Sequence, residues 1–450
     1  MLKKYVSLIV ASMMILAVIA GCASNTSTPA ATTEAPTTAA VTPTTAAAQS
    51  GSAVTTPRTV EPRENAPDGT SLTPASFSKD MFPGLATIGV KPLQKYKIAF
   101  SNGDMADTWR AAFWNDMIKS LDYLKNTFGI EYITANSGAD SAKQIEDIRS
   151  LLAQKPDILL FSPNESAPLA VVADMCVEAK IPFITIDRSL ELTPGQGMYI
   201  ADIEGDNFKD GIGMGISLVN GLTAKNGKPE GIVAEIAGAQ GSSPAVYRSA
   251  GLRFVLKDYP DIQIVQVVDG GFDDSKAYAG AQDIFTAHGK ELDALVVAWD
   301  TGAAQAIKVA DTLGLKDILF ISSNGNTEVL KDYVLTGRIY SEIEYPPMYG
   351  ITALEYAIHY LNGDNIPSKI LMPQRNYMID TPEKKAALQE LVDQAEAEKA
   401  TFIPASLGKY DVFGTKGELW DKYYPKSFLD EPANYFDAKI SDPYSLINKK

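Results

Sequence analysis

Short apolar segments alternate with amphipathic segments along most of this 450-residue chain, and this alternation most limits how it can fold. The first series predicts helices over residues 107–126, 141–154 and 169–179. It predicts strands over residues 97–101, 131–135, 157–161 and 181–186. These strands are continuously apolar, a pattern that is typical of parallel strands buried on both faces. The alternation therefore predicts an α/β fold around a parallel sheet.

A second series of the same kind begins near Gly231. Its predicted strands and helices alternate over residues 232–236, 244–257, 262–268, 275–287, 295–298, 303–313 and 318–321. Two consecutive series predict two Rossmann-like lobes with parallel sheets, joined by a hinge near residues 198–201 and separated by a cleft. The expected N-terminal lobe spans residues 95–201 and is completed by about 345–368. The expected C-terminal lobe spans residues 202–344.

The first 21 residues have the features of a cleavable signal peptide. Lys3 and Lys4 precede an apolar run over residues 5–19, which is shorter than the ~20 residues of a bilayer-spanning helix. The run ends in VIAGC, which resembles the bacterial lipobox and implies cleavage before Cys22 and a lipid on its sulfur. A plain membrane anchor with an incidental cysteine is the alternative.

The segments outside the two lobes have distinct compositions. Residues 22–57 are rich in Thr, Ala and Pro and carry one charge, so we expect a disordered tether behind Cys22. Residues 58–94 are expected to form an extended lead-in. Residues 369–450 are expected to contain a crossover strand, a helix and an aromatic-rich extension that packs on the lobes. A lid or a partner surface is the alternative role of that extension.

Composition narrows the functional classes. The formal net charge of −15 argues against nucleic acid as a partner, because phosphate neutralisation needs clustered Lys and Arg. The histidines are His288 and His359, and the cysteines are Cys22 and Cys176, which excludes a multi-histidine metal site and a zinc ribbon. We therefore expect neither a metal ion nor a cofactor. Cys176 is expected to be a buried, inert thiol.

Polar and aromatic residues follow the predicted strands of both series. In open α/β sheets, ligands bind beyond the carboxyl ends of the strands. The candidates at this edge are Asn102, Trp109, Arg110, Asp187, Arg188, Arg248, Phe272, Trp299, Asp300 and Asn324. Carboxylates, amides and guanidinium groups suit sugar hydroxyls, and aromatic faces suit sugar C–H surfaces. In the plainer interpretation, Asp187 caps a helix and forms a surface ion pair with Arg188, and Trp109 belongs to the core.

Several segments together carry a family resemblance. They are residues 99–102 with 108–110, residues 144–149, residues 157–163, the segment IPFITIDR ending at Arg188, and GSSPAVYR ending at Arg248. In combination they resemble the substrate-binding proteins of sugar ABC transporters, which have the periplasmic-binding-protein-like type I fold. The ribose- and galactofuranose-binding branch is the most similar. The resemblance covers about residues 95–376.

The resemblance implies roles for individual residues. Trp109 and Arg110 would contact sugar from the first lobe, and Asp187 and Arg188 would hold adjacent hydroxyls. From the second lobe, Arg248 would bind hydroxyls, with Phe272 as a stacking wall and Glu344 entering the cleft from a crossover strand. Because Asp187 adjoins Arg188 in sequence, we expect Arg188→Ala to weaken binding more than Arg248→Ala.

Two positions depart from the family's pattern. Trp299 stands where Asn is usual, before an Asp that is retained as Asp300. Asn324 stands where ribose-type proteins carry Asp. An extra ring and a missing carboxylate leave the pocket in place but leave the identity of the sugar open.

The implied function is that of a non-enzymatic, extracytoplasmic receptor, lipid-anchored to the cell membrane. It would bind a monosaccharide, a pentose or hexose with furanose forms among the candidates, as a monomer. It would deliver this sugar to an ABC permease and its ATPase. A sugar sensor that presents its ligand to a chemotaxis or kinase receptor is the second interpretation. A surface glycosidase is the third, with paired carboxylates from Asp187, Glu344, Asp300 and Glu165. No catalytic signature supports it, and an Arg-rich pocket would keep these acids ionised.

Overall fold

The computed structural model describes residues 96–105, 107–361, 366–372, 374–404, 407 and 409–424. The expected signal peptide, the tether with Cys22, the lead-in segment and the end of the C-terminal extension lie outside these residues. In the described part of the chain, no helix combines the length and the apolar character needed to cross a bilayer.

The described strands are β1 (Lys97–Asn102), β2 (Glu131–Asn136), β3 (Ile158–Ser162), β4 (Phe183–Ile186), β5 (Tyr199–Gly205), β6 (Gly231–Ala237), β7 (Ile262–Asp269), β8 (Ala294–Val297), β9 (Leu319–Asn324), β10 (Ser341–Glu344), β11 (Lys369–Met372) and β12 (Asn376–Met378). The helices are α1 (Thr108–Phe128), α2 (Ser141–Ala153), α3 (Val171–Ala179), α4 (Asn207–Asn226), α5 (Ser243–Leu256), α6 (Asp274–His288), α7 (Asp300–Thr312), α8 (Gly350–Leu361), α9 (Pro382–Ala397) and α10 (Glu418–Tyr423). Short helical turns complete the connections.

These elements form two six-stranded sheets, each flanked by helices. The first sheet has the order β11-β5-β4-β3-β1-β2 and is parallel throughout. The second has the order β12-β10-β9-β8-β6-β7, and only β12 runs antiparallel to its neighbour. Central strands such as β3 are buried along their whole length, as the continuous apolar runs predict. The predicted two-lobed α/β fold is therefore confirmed.

The division between the lobes differs from the expectation at two places. β5 extends from Tyr199 to Gly205 and pairs with β4 in the first sheet, so the expected boundary at residue 201 falls inside a strand. β11, which was expected with the C-terminal segment, pairs with β5 and also belongs to the first sheet. The chain therefore passes between the sheets after β5, after β10 and between β11 and β12.

Polar residues at strand ends start several of the following helices. The side chains of Asp107 and Asp140 accept hydrogen bonds from backbone N–H groups in the first turns of α1 and α2. Asp206 and Asp273 do the same for α4 and α6. Because such N-caps fix where a helix begins, they also fix which side chains lie at the carboxyl edge of each sheet.

The described part of the C-terminal segment packs on the lobes. α9 buries one helical stripe, formed by Leu388, Leu391, Val392 and Ala395, in the core of the second lobe. α10 buries Trp420 and Tyr423 in a second apolar cluster of that lobe. Up to residue 424 the extension therefore has the packed, irregular character that its many aromatics predict.

Candidate ligand-binding site

A pocket that encloses about 280 Å³, open solvent included, lies at the carboxyl edges of the two sheets. It is lined by Asp107, Trp109, Arg110, Asp187, Arg188, Pro244, Arg248, Phe272, Asn324 and Tyr345. Seven of the eleven predicted binding residues are among the lining side chains.

Arg110 is fixed by first-lobe groups from three strands. Its Nη2 lies 2.8 Å from Asp187 Oδ2, and its Nη1 donates to Ser162 Oγ at 2.8 Å. Its Nε lies 3.5 Å from Asp104 Oδ2. The guanidinium also lies 5.4 Å from the centre of the Trp109 ring. These contacts leave Arg110 one position, which is the pre-organisation that a binding site needs.

Asp187 directly follows β4 and lies in the left-handed backbone region, with φ of 68°. This conformation is costly for a residue other than Gly and turns the chain sharply beneath the cavity. The hydroxyl of Tyr345 donates to Asp187 Oδ1 at 3.1 Å and lies 2.9 Å from its backbone oxygen. Tyr345 directly follows β10 of the second sheet, so these hydrogen bonds connect that segment to the first-lobe side of the cavity.

Arg188 is the least fully bonded of the cavity's three guanidinium groups. Its Nη1 donates to the backbone oxygen of Asn164 at 2.8 Å, and its Nη2 lies 3.3 Å from Asp104 Oδ2. Its Nε is buried and has no hydrogen-bond partner. Burial, followed by the nearby charge of Arg110, lowers the pKa of Arg188. A guanidinium keeps its proton at ordinary pH, so Arg188 stays a charged hydrogen-bond donor in the cavity lining.

Arg248 enters the cavity from α5 of the second lobe. Its Nε lies 2.9 Å from Asp210 Oδ2, and its Nη1 donates to the backbone oxygen of Ala298 at 2.7 Å. Its Nη2 lies 3.4 Å from Asn324 Oδ1. Burial raises the pKa of Asp210 to about 7, and the charge of Arg248 opposes that rise. Arg248 is therefore positioned by a fully buried carboxyl group.

Close packing of α4 on α5 makes this ion pair possible. A Cβ on Gly211 would overlap the backbone oxygen of Arg248, and a Cβ on Gly251 would overlap the backbone oxygen of Phe208. Glycine at both positions lets the helices approach closely enough for Asp210 to meet Arg248. The G-x-G sequence at residues 211–213 therefore serves helix packing, inside α4 rather than after a strand.

Phe272 forms an aromatic wall on the second-lobe side. Its φ of 56° lies in the left-handed region, which aims the ring at the cavity. The guanidinium carbons of Arg188 and Arg248 each lie 5.9 Å from the ring centre. One aromatic face and two cations from different lobes therefore meet at this point.

Four predicted residues are absent from the cavity lining. Asn102 is buried beneath it, where its Nδ2 donates to the backbone oxygen of Asp104 and its Oδ1 has no partner. Trp299 is fully buried behind Phe272. Glu344 does not enter the cleft, because it forms a buried ion pair with Arg375 and accepts from Tyr377 Oη at 2.9 Å.

The fourth, Asp300, binds backbone instead. Its carboxyl group accepts from the backbone N–H of Thr301 at 2.7 Å and of Asn326 at 2.6 Å. Glu342 accepts from the N–H of Gly325 at 2.6 Å and is hydrogen-bonded to Asp300. The two buried carboxyl groups therefore hold the turn that follows Asn324.

Glu342→Gln is expected to make stability less sensitive to pH. Burial raises the pKa of both Asp300 and Glu342, and the charge of Asp300 raises that of Glu342 further. Each group binds its proton more tightly when folded, so the free energy of unfolding falls as pH rises from about 4 through the folded pKa values. Glutamine stays neutral and removes the Glu342 part of this fall. Denaturant unfolding at about pH 5, 7 and 9 measures the slope, and parallel slopes for both proteins would contradict the shared-proton geometry.

Four residues that build the site are absent from the predicted set. Asp104 and Asp107 lie in the loop after β1, beside the predicted Asn102 and Trp109. The strand-end rule includes Asp104 among the polar residues after that strand, and the same rule carried further along the loop would have found Asp107. Asp210 gave no such signal, because it lies inside a helix. Tyr345 directly follows β10, beside the predicted Glu344, so the strand-end rule would have found it as well. The position of Asp210 depends on the packing of α4 on α5, and the position of Tyr345 depends on where the chain leaves the second sheet after β10.

The arrangement suits binding of an uncharged, hydroxyl-rich molecule. Arg110, Arg188 and Arg248 each lie within 4 Å of a carboxylate, so their charges are already balanced. Of the acids considered for glycoside hydrolysis, only Asp187 lines the cavity, and Arg110 binds it. In the part of the chain that the structure describes, no cluster of His, Cys, Asp or Glu is arranged to hold a metal ion. Cys176 is buried, and burial raises the pKa of its thiol to about 12.

Comparison with protein families gives one match that covers more than half of the chain. The model of the periplasmic binding protein domain matches residues 98–365. That range includes every cavity-lining residue and ends before α9.

Two curated relatives have similar sequences. The ribose import binding protein of Bacillus subtilis is 27% identical over 280 residues, which cover 62% of this chain and 87% of the relative. The galactofuranose-binding protein of Escherichia coli is 28% identical over 298 residues, which cover 64% of this chain and 89% of the relative.

Solved structures share the fold. The binding protein of the arabinose ABC transporter from Shewanella sp. ANA-3, bound to L-arabinofuranose, has a TM-score of 0.59 at 25% identity and covers 67% of this chain and 98% of its own. The fructose-binding periplasmic domain of a hybrid two-component system has a TM-score of 0.58 at 22% identity. The match covers 68% of this chain and 97% of that domain. Two lobes around one cleft are therefore common to this chain and to both proteins.

Proposed function

This chain belongs to the periplasmic binding protein family, and from that premise we propose that it is a receptor that captures one neutral monosaccharide between its lobes for an ABC import system. One observation carries the proposal. Both lobes supply hydrogen-bonding side chains to a single small cavity, Arg110 and Arg188 from the first and Arg248 from the second. Phe272 adds the flat apolar face that a sugar ring needs.

The charge balance favours a neutral ligand. An anionic sugar would require a guanidinium that is free of other partners, but Asp187, Asp104 and Asp210 already lie against the three arginines. Hydroxyl groups can accept from a guanidinium and donate to a carboxylate at the same time, so a polyol fits paired charges. The ribose- and galactofuranose-binding relatives point to the same class of ligand.

A thermal-shift screen of monosaccharides tests this proposal. A ligand that binds only the folded state stabilises it by RT ln(1 + [L]/Kd), about 2.7 kcal/mol at 100 Kd. We expect stabilisation by at least one neutral pentose or hexose, and none by the matching uronic acid or sugar phosphate. Stabilisation by the anionic sugars alone, or by no monosaccharide, would refute the proposal.

Sensing is the second candidate function, because the fold also occurs in a periplasmic domain of a hybrid two-component system. Uptake of labelled sugar into vesicles that carry a candidate ABC permease and its ATPase separates the two roles. Import predicts uptake that requires this protein. Sensing predicts sugar binding without uptake.

The attachment to the membrane rests on Cys22, which lies outside the described residues. We expect Cys22→Ser to release the protein from membranes while sugar affinity stays unchanged, because the tether over residues 22–57 has no apolar face of its own. Membrane fractionation of cells that express each form measures the release. Cys176→Ser serves as the matched control, because that buried thiol lies within the first lobe. Persistent anchoring of the Cys22→Ser protein would exclude the lipid anchor.

A further inference from the structure

Trp299 supports the aromatic wall of the cavity from behind. Its side chain is fully buried, and its ring meets Phe272 edge-on, with 5.7 Å between centroids and an interplanar angle of 72°. The indole N–H donates to Asp274 Oδ1 at 3.0 Å, and the same oxygen accepts from Thr301 Oγ1 at 2.7 Å. A hydrogen bond at one end and ring packing at the other therefore fix the indole.

Three glycines make room for the two rings. A Cβ on Gly270 would lie 2.5 Å from the indole Cη2, and a Cβ on Gly302 would overlap the indole. A Cβ on Gly238 would overlap the tip of the Phe272 ring. Because the backbone closes around both rings, Phe272 has no space into which it could move back.

The position of Phe272 determines the width of the cavity. The ring lies opposite the first-lobe groups and is 8% exposed, so any retreat of the ring would enlarge the space for a ligand. A side chain smaller than tryptophan at position 299 would leave a void directly behind that ring. The Phe272 ring could then move back into that void and occupy a second position.

We propose that Trp299 is a positioning residue that sets the size limit of the ligand by holding Phe272 forward. This inference rests on the proposed function, because it concerns the same cavity. One extra carbon in an apolar pocket typically changes recognition about 10- to 200-fold. Truncation of Trp299 should therefore shift the preference toward larger sugars.

Calorimetric titration with sugars of matched ring stereochemistry tests it, using a pentose, the 6-deoxyhexose and the hexose. The wild type is expected to lose at least about 10-fold in affinity at the step where the ligand outgrows the cavity. Trp299→Phe is expected to weaken binding of the preferred sugar about 10-fold and to reduce discrimination against the next larger one by a similar factor. Trp420→Phe is the matched control, because this second-lobe tryptophan is buried away from the cavity.

The outcomes are distinct. A folded Trp299→Phe protein with unchanged ligand ranking would overturn the inference, and so would a wild type that binds the whole series equally, whether or not the variant folds. A wild type that binds none of the monosaccharides in the wider screen would instead refute the proposed function.

Discussion

Arg248→Ala is expected to weaken sugar binding about 100-fold, whereas Arg188→Ala weakens it about 10-fold. Hydrogen bonds from a charged donor contribute about 1.5–3 kcal/mol, which corresponds to roughly 10- to 150-fold in affinity. The loss of affinity in Arg248→Ala should lie at the upper end of this range, because the substitution leaves Asp210 fully buried without its cation. Breaking such a pair by removing one partner also lowers the free energy of unfolding by ~3–5 kcal/mol.

Arg188→Ala is expected to weaken binding less, because Asp104, the carboxylate that contacts Arg188, keeps another partner. Asp104 lies 3.3 Å from Arg188 and 3.5 Å from Arg110, so Arg188→Ala leaves it paired. Calorimetric titration and urea unfolding of both variants measure the two effects. Arg248→Ala combined with Asp210→Asn is the control, because a neutral amide in that place should restore part of the lost stability.

The pH dependence of Arg248→Ala provides an independent check. Burial already raises the pKa of Asp210 to about 7, and loss of the guanidinium removes a contact that opposes this rise. The folded variant therefore binds the Asp210 proton more tightly than the unfolded chain does, and its stability falls as pH rises from about 4 upward. The stability gap to the wild type should narrow at about pH 5. A gap that stays constant with pH, or a larger loss of affinity in Arg188→Ala, would contradict the assignment.

Sequence adjacency predicted the opposite ranking, and the structure argues against the premise of that prediction. Asp187 was expected to pair with Arg188, but its carboxylate lies 2.8 Å from Arg110 Nη2 and 3.9 Å from Arg188 Nε. The left-handed backbone at Asp187 directs neighbouring side chains to different partners. Asp210, the partner of Arg248, lies on another helix, and only the close packing of α4 on α5 brings the two together.

Residues at strand ends were predictable because parallel strands present their carboxyl ends at one edge. This rule placed Arg110, Asp187 and Phe272 at the cavity. It misplaced Trp299 because the rule locates a backbone position and leaves the side-chain direction open. The family resemblance misplaced Glu344, because its buried partner Arg375 lies between β11 and β12, in a segment that has no local sequence signature.

The lobe boundary was missed for a related reason. β5 contains Asp202 and Glu204, which break the apolar run that marks the other central strands. Both carboxylates are buried and paired with Lys369 on the adjacent β11. Charged residues that form ion pairs between two neighbouring strands give a buried strand the polar sequence of a loop. The pairing cannot be recognised from the sequence of either strand alone.

Phe402→Ala is expected to loosen the connection between the lobes. Phe402 is buried in the apolar cluster of the first lobe, whereas the next residue, Ile403, is buried in the cluster of the second. The backbone around them is bound to the second lobe, because Thr327 N donates to Thr401 O at 2.8 Å and Asn326 forms an antiparallel bridge with Phe402. At Phe402 and Ile403 the C-terminal extension therefore contacts both cores. The bridge partner of Phe402, Asn326, lies two residues after the cavity-lining Asn324.

Phe413→Ala is the matched control, because Phe413 is equally buried but belongs to the second-lobe cluster alone. Each substitution should lower the free energy of unfolding by ~3–5 kcal/mol, the usual cost of truncating a core phenylalanine. Only Phe402→Ala removes a contact that joins the lobes, so only this variant should populate more open forms when the ligand is absent. Apparent affinity scales with the closed fraction, so sugar binding should weaken with it. Small-angle scattering should then give a larger radius of gyration for ligand-free Phe402→Ala than for Phe413→Ala, and equal radii with equal affinities would show that the extension stabilises one lobe only.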